Sequence, residues 1–161
     1  VDAKQLEIAC RDLEQQKQLM MCYTSDQVIV YLASGDALLS LAFSGDAHQA
    51  RRTNSHVGYV IPESGASMWI DNMAIPASAP HVEAAYLWMN YILEPDTAAA
   101  LTNYTYYPTP NSAAVAKVKP ELLADKTLYP SEQMMDRCEE IEDIGDGVLL
   151  YDRTWTELKC I

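Results

Sequence analysis

The run Ala37-Leu38-Leu39-Ser40-Leu41-Ala42-Phe43 limits the fold more than any other stretch of the chain. It is almost continuously apolar, and turn-forming residues close it at both ends, Gly35-Asp36 before it and Ser44-Gly45-Asp46 after it. A strand with one wet face alternates apolar and polar residues, whereas a strand covered on both faces does not. The run therefore predicts a strand buried on both sides, as in α/β sheets with helices above and below. Phe43, the only phenylalanine in the chain, stands at the carboxyl end of that strand. Open α/β sheets place their ligand clefts at such ends; packing in the core is the alternative role.

The flanking segments read as alternating helices and short strands. Asp2 with Gln5 forms a capping box, and Leu6, Cys10 and Leu13 then recur at helical spacing as an inward face, with Lys17 continuing the row. Met20 to Tyr23 reads as a short buried strand, and Ser25 as the N-cap of a helix from about Asp26 to Ala33 that Gly35 closes. Ser25 also stands at a strand-to-helix junction, so a helix cap and a ligand contact are both open to it. A polar helix near Ala47 to Arg52 is followed by strands at Val57 to Ile61 and Met73 to Ile75. Val82, Ala85, Tyr86, Met89, Ile92 and Leu93 form one helical stripe, and Asp96 caps the next helix. A loop rich in tyrosine and proline runs from Tyr104 to Asn111. Leu128 to Ser131 opens a helix through about Cys138, and the last helix, about Gly147 to Cys160, buries Val148, Tyr151, Trp155 and Leu158.

Several function classes are disfavoured. A formal net charge of −12 argues against nucleic acid and anionic membrane surfaces and favours cationic partners. No continuous apolar stretch reaches the roughly 18 to 20 residues of a spanning helix. No Gly-rich phosphate loop, GxSxG elbow or HExxH motif occurs, so neither an enzyme nor a cofactor is expected. The acidic run from Glu139 to Gly147 lacks the ligand order of a calcium loop, and His48, His56 and His81 lack metal-ligand spacing. Cys10, Cys22, Cys138 and Cys160 leave both pairing and compartment open. The chain begins at Val1-Asp2 without Met, which suggests a processed product or part of a longer polypeptide.

Trp69-Ile70-Asp71 carries the chemistry. In an extended segment, residues two apart face the same way, so the indole and the carboxylate share a side and can cradle an organic cation. A buried tryptophan beside an unrelated turn aspartate is the other reading. The surrounding residues bear on the choice. Gly58-Tyr-Val-Ile-Pro-Glu-Ser-Gly65, Met68-Trp-Ile-Asp-Asn-Met-Ala-Ile-Pro76, Met89-Asn-Tyr-Ile-Leu-Glu-Pro-Asp96, Tyr107-Pro-Thr-Pro-Asn111 and Asp125-Lys-Thr-Leu-Tyr-Pro130 together resemble the bacterial spermidine/putrescine-binding proteins, the periplasmic receptors of polyamine ABC transporters.

The resemblance implies an α/β fold of the type II periplasmic binding protein kind and a chain corresponding to its C-terminal half. Residues 1–71 and 119–161 would form the second ligand-binding lobe, and 72–118 the returning segment of the first lobe, whose remainder is absent. It implies a polyamine ligand, a periplasmic location, an ABC transporter permease as partner, and completion by the missing N-terminal half or another copy of the chain. Trp69 would pack on polyamine methylenes and Asp71 pair with an ammonium. Phe43 falls where spermidine receptors have a second tryptophan, and Ser25 where a hydroxyl meets the ligand. Ile141 falls where the family has a ligand-binding glutamine, leaving Glu142 to replace it. A polyamine-sensing signalling subunit of the same fold and a carboxylate-dependent enzyme are the alternative functions.

Overall fold

Asp2 takes the N-cap position of the first helix in the computed structural model of the protein, which describes residues 2–160. In chain order the elements are α1 (Ala3–Lys17), α2 (Val28–Ser34), α3 (Ser44–Thr53), β1 (Ser67–Met68), α4 (Val82–Leu93), α5 (Pro95–Thr105), α6 (Ser112–Val115), α7 (Pro120–Ala124), α8 (Glu132–Met135), β2 (Glu139–Glu140) and α9 (Gly147–Cys160). They group into two units, one formed by residues 2–24 with 141–160 and the other by residues 25–140.

In the first unit the Asp2 carboxylate accepts from the backbone N–H of Lys4 at 2.8 Å and of Gln5 at 3.4 Å, supplying acceptors that the first helical turn lacks. Leu6, Cys10, Leu13 and Lys17 are the half-buried positions of α1, the row that the sequence spacing predicts. Helix α9 packs against α1 and buries Leu158. Lys17 Nζ donates to the carbonyls of Leu158, at 2.9 Å, and Lys159, at 3.3 Å, where the helix end leaves acceptors free. The expected inward face of α9 is narrower than its spacing suggests: Val148 and Tyr151 are exposed, and Trp155 is half open with Tyr23 edge-on at 5.1 Å. Met20 to Tyr23 is not a strand, and Met20, Met21 and Cys22 lie in solvent, since the described residues offer no neighbouring strand to pair with them.

The second unit is built on small side chains. Ala98 and Ala99 of α5, Ala114 of α6, Leu122 of α7, and Val118 and Leu128 form its core, with Tyr106, Leu123 and Tyr129 packed against it. Pro95 occupies the first turn of α5, where it sacrifices no hydrogen bond, and Glu94 rather than Asp96 takes the N-cap. Helix α2 starts at Val28, which is buried, and its N-cap is Gln27. Ser25 is exposed two residues upstream, so the predicted serine cap does not form; Gly35, at φ 81°, closes the helix as expected. Strands β1 and β2 pair in parallel, Ser67 opposite Glu139 and Met68 opposite Glu140, the sole sheet among the described residues. Gly65, at φ 96°, permits the approach: a Cβ there would stand 1.8 Å from the Arg137 carbonyl oxygen.

The predicted strand at Ala37 to Phe43 is absent. Leu38, Leu39 and Leu41 are 97 %, 92 % and 98 % exposed, and residues 38–42 make no backbone-to-backbone hydrogen bond among the described residues. Val57 to Ile61 and Met73 to Ile75 also lack ladder partners. A strand buried on both faces needs strands at both edges and helices on both sides, and a two-residue pairing supplies neither. Helix α4 is open for the same reason. Ala85, Met89 and Ile92 are half-buried, while the other predicted stripe positions Val82, Tyr86 and Leu93 are exposed, as are Leu87, Trp88 and Tyr91.

Helix α3 buries Ala47, His48 and Ala50. The His48 ring lies parallel to Tyr106 at 6.0 Å, its Nδ1 donates to the Ser44 carbonyl at 2.8 Å, and its Nε2 lies 3.0 Å from Asp125 Oδ2. Asp125 Oδ1 accepts from the Thr127 hydroxyl at 2.6 Å and the Thr127 N–H at 2.9 Å. Burial pushes the Asp125 carboxyl up, but the hydrogen bonds from Thr127 and His48 outweigh it and hold the group at about 2, below the usual aspartate range. A depressed folded-state value stabilises the fold above the unfolded-state value near pH 4 and loses that contribution as pH falls toward 2. Asp125→Asn should therefore lower stability by about 1–3 kcal/mol at pH 7. It should also flatten the loss of stability between about pH 4 and 2, which urea unfolding across that range measures.

Candidate functional site

Phe43 occupies the N-cap position of α3 with extended backbone, φ −72° and ψ 148°. The ring meets Trp69 edge-to-face, centroids 4.7 Å apart and planes inclined by 66°. That arrangement suits two aromatic quadrupoles and leaves part of each ring open. The two side chains are 43 % and 39 % exposed, so they form a wall and not a sealed core contact. Trp69 follows β1 directly, and the β1–β2 pairing, with the Glu139 N–H donating to the Ala66 carbonyl at 3.0 Å, anchors the segment that carries it.

Tyr107 lies against the start of the helix that Phe43 caps. Tyr106, the C-cap of α5, sits at φ 65°, a left-handed conformation that redirects the chain and sets Tyr107 over the start of α3. A Cβ on Gly45 would lie 2.4 Å from the Tyr107 ring, so the ring rests on the helix backbone itself. Its hydroxyl donates to Asp46 Oδ1 at 2.9 Å. Burial, that hydrogen bond, and the charges of Asp46 and Asp71 all push the phenol up, which keeps it neutral and donating. Asp71, two residues beyond Trp69, is exposed.

Two contacts of the second unit thus meet near the start of α3: the Phe43–Trp69 ring pair, and Tyr107 with Gly45 and Asp46; Asp71 follows Trp69 by two positions. Asp46 lies in the first turn of α3, where the helix dipole favours its charge. Of the residues singled out from the sequence, Phe43 and Trp69 are in contact, and Asp71 is exposed two positions beyond Trp69. Ser25 lies in the same unit, exposed at a bend ahead of α2. Glu142 is exposed in the first unit, in the loop before α9, as is Ile141. Asp46 and Tyr107 were not foreseen. A glycine followed by aspartate at the end of the Ala37 to Phe43 run, and a tyrosine ahead of Pro-Thr-Pro, are the signals that could have raised them.

Two concavities of about 250 Å³ each open on this unit, one lined by Tyr59, Lys126, Thr127, Pro130 and Met134, the other by Ser64, Gly65, Ser67, Arg137 and Glu139. Neither is lined by Phe43, Trp69 or Tyr107. Among the described residues no group of three or more His, Cys, Asp or Glu side chains is placed to hold a metal ion.

The sequence model for bacterial extracellular solute-binding proteins matches residues 10–133, most of the chain. The chain belongs to this family. The spermidine/putrescine-binding periplasmic protein of Salmonella typhimurium is 33% identical over 158 residues, an alignment that takes in 98% of this chain and 45% of that protein. Among solved structures, a putative spermidine/putrescine ABC transporter protein from Listeria monocytogenes superposes with a TM-score of 0.85 at 30% identity, covering 95% of this chain and 48% of that one. The spermidine/putrescine ABC transporter substrate-binding protein of Streptococcus pneumoniae gives 0.78 at 28% identity, covering 99% and 50%. The expected solute-binding α/β fold is thereby shown, and this family member spans about half the length of the relatives it matches. No described helix is long and apolar enough to cross a membrane.

The tight seat of Tyr107 on α3 gives a local test. Gly45→Ala should cost about 1–3 kcal/mol through forced displacement of the ring, although alanine is the better helix former. Gly58→Ala, whose added Cβ would meet nothing within 4 Å, should stay within about 0.5 kcal/mol of the parent. Denaturant unfolding of the two variants compares them directly.

Proposed function

We propose that the chain is part of a polyamine receptor, the ligand-binding component of an ABC transporter, and that Phe43, Trp69, Tyr107, Asp46 and Asp71 form its share of the ligand site. The observation that carries this is the half-open Phe43–Trp69 ring pair, with Asp71 two residues beyond Trp69 and Asp46 in the first turn of the helix that Phe43 caps. A polyamine is a flexible stem of methylenes bearing ammonium groups. Ring faces suit the stem and attract its cations, and carboxylates pair with its amines. The names of the matched relatives support the same ligand class. In this reading the protein binds without catalysis, works outside the cytoplasmic membrane in the periplasm, and hands its ligand to a permease.

Residues 1–71 and 119–161 are assigned to one lobe and 72–118 to the other, with the rest of that other lobe supplied by the missing N-terminal half. Ser25 is assigned as a further polar contact that acts once the cleft is complete. Each charge-assisted contact contributes roughly 1.5–3 kcal/mol, so a site lacking the groups of the other half loses several such terms.

The chain alone should accordingly bind spermidine and putrescine no better than about millimolar, and a fusion to the matching remainder of the Salmonella receptor about micromolar or tighter. Asp71→Asn in the fusion should weaken binding roughly ten- to hundredfold. Titration calorimetry decides. Micromolar affinity in the isolated chain would sink the half-site reading, and a folded fusion that ignores both polyamines would sink the polyamine reading.

A further inference from the structure

His48 of α3 is buried, and each of its ring nitrogens faces an oxygen that only accepts a hydrogen bond. Nδ1 lies 2.8 Å from the Ser44 carbonyl, so it carries a hydrogen. Nε2 lies 3.0 Å from Oδ2 of Asp125, whose carboxyl, held at about 2, is ionised at neutral pH. The Thr127 hydroxyl also stands 3.4 Å from Nε2, but its hydrogen goes to Asp125 Oδ1 at 2.6 Å, so it too offers the ring a lone pair. A neutral imidazole has one N–H and one bare nitrogen, and here it would set a lone pair against an acceptor. The imidazolium donates from both nitrogens and satisfies both oxygens.

We propose that His48 is a protonated clamp, a positioning residue that ties α3 to the turn at Asp125 and so fixes the helix start that carries Phe43 and Asp46. The proposal rests on the reading of those two side chains as part of the ligand site, and adds that their placement depends on a proton held within the same helix. The direction of the effect is the opposite of the usual one. A buried histidine without partners resists its second proton, so acid loosens the structure around it. Here the second proton supplies a hydrogen bond and the positive end of a buried ion pair, so acid tightens the joint. The contribution is present while the ring is protonated and is lost as pH rises and the ring gives its second proton up. At the acid end it is lost again as Asp125 takes a proton near pH 2.

The other groups around the ring leave this role to Asp125. Tyr106, at the end of α5, stacks on it at 6.0 Å, and Tyr59, ahead of β1, lies at 6.2 Å with its plane tilted. Burial pushes the Tyr59 phenol up, which keeps it neutral. Lys126 lines the concavity that Tyr59 and Thr127 also line. Among the described residues Asp125 is the charged group that meets the ring, and loss of the ring proton would leave its Oδ2 facing a bare nitrogen. A shift of α3 in response would carry to Tyr107, because that ring rests on Gly45 and its hydroxyl donates to Asp46.

The test reads the ring and the helix separately. The chain labelled with nitrogen-15 in histidine is followed by NMR from about pH 8 to about pH 5, the range in which histidines change charge. The His48 signals are assigned by their absence in His48→Gln. Both ring nitrogens are expected to carry a proton at the acid end, and amide exchange along α3, corrected for its intrinsic pH dependence, to slow about tenfold or more as the second proton arrives. Asp125→Asn removes the carboxylate and His48→Gln the titrating ring, so each should abolish that dependence. A bare nitrogen on His48 at the acid end, or exchange in α3 that quickens or stays constant on protonation, would overturn the proposal. In the fusion to the Salmonella remainder, spermidine should bind about tenfold more tightly at about pH 6 than at about pH 8, with the difference lost in Asp125→Asn. A fusion that binds spermidine without that difference would overturn the link to the ligand site. A fusion that binds no polyamine at either pH would remove the polyamine reading, while the ring and exchange measurements still decide the clamp.

Discussion

The close seating of Tyr107 on the backbone of α3 is the contact on which the arrangement of the site depends. It exists because position 45 has no side chain, and it is held from both ends. From the outside, the Tyr107 hydroxyl reaches Asp46; from the inside, His48 bridges the Ser44 carbonyl and Asp125. One helical turn thus binds the loop after α5 and the turn at Asp125 to Thr127, while its N-cap residue supplies the Phe43 ring. Enlarging Gly45 or removing either carboxylate disturbs neighbouring parts of this joint at once. Buried networks of this kind are stable when every member is satisfied and weak when one is missing.

Much of the helical structure is legible in the sequence because it depends on local chemistry. The Asp2 cap, the row Leu6, Cys10, Leu13 and Lys17, and the Gly35 terminus are set by neighbours within a few positions, and they stand where the spacing puts them. The strands are a different matter. Ala37 to Phe43 has the composition of a doubly covered strand, but a strand is completed by residues far away in the chain, and none of the described residues supplies that cover. The same holds for Met20 to Tyr23 and for the outer face of α4. Local pattern predicts strands in these segments, and the structure has none there because the cover a strand needs is not supplied by the described residues.

The site was half legible for a related reason. Trp69 and Asp71 announce themselves by spacing in one short segment, and Phe43 by its place at the end of an apolar run. Asp46 and Tyr107 meet across sixty-one positions through a hydrogen bond that only the fold creates. Asp46 looks like an ordinary turn residue until the ring of Tyr107 is seen on Gly45. Tyr107 looks like core cover until its hydroxyl is seen to end on a carboxylate. These contacts join elements from three separated regions, and their chemistry follows from that meeting.

Helix α4 and the segment before Phe43 have a thermodynamic consequence. The heat capacity change on unfolding and the slope of stability against denaturant both scale with surface newly exposed. Leucine, tryptophan and tyrosine side chains that already lie in water contribute little to either quantity. A calorimetric trace of this chain would therefore be broad and shallow for its length. Its curve of stability against temperature would be flat, with weak cold and heat limbs, as for a smaller domain. Covering those faces would restore the curvature, so the heat capacity change itself becomes a measure of how much of the protein's apolar surface has found its partner.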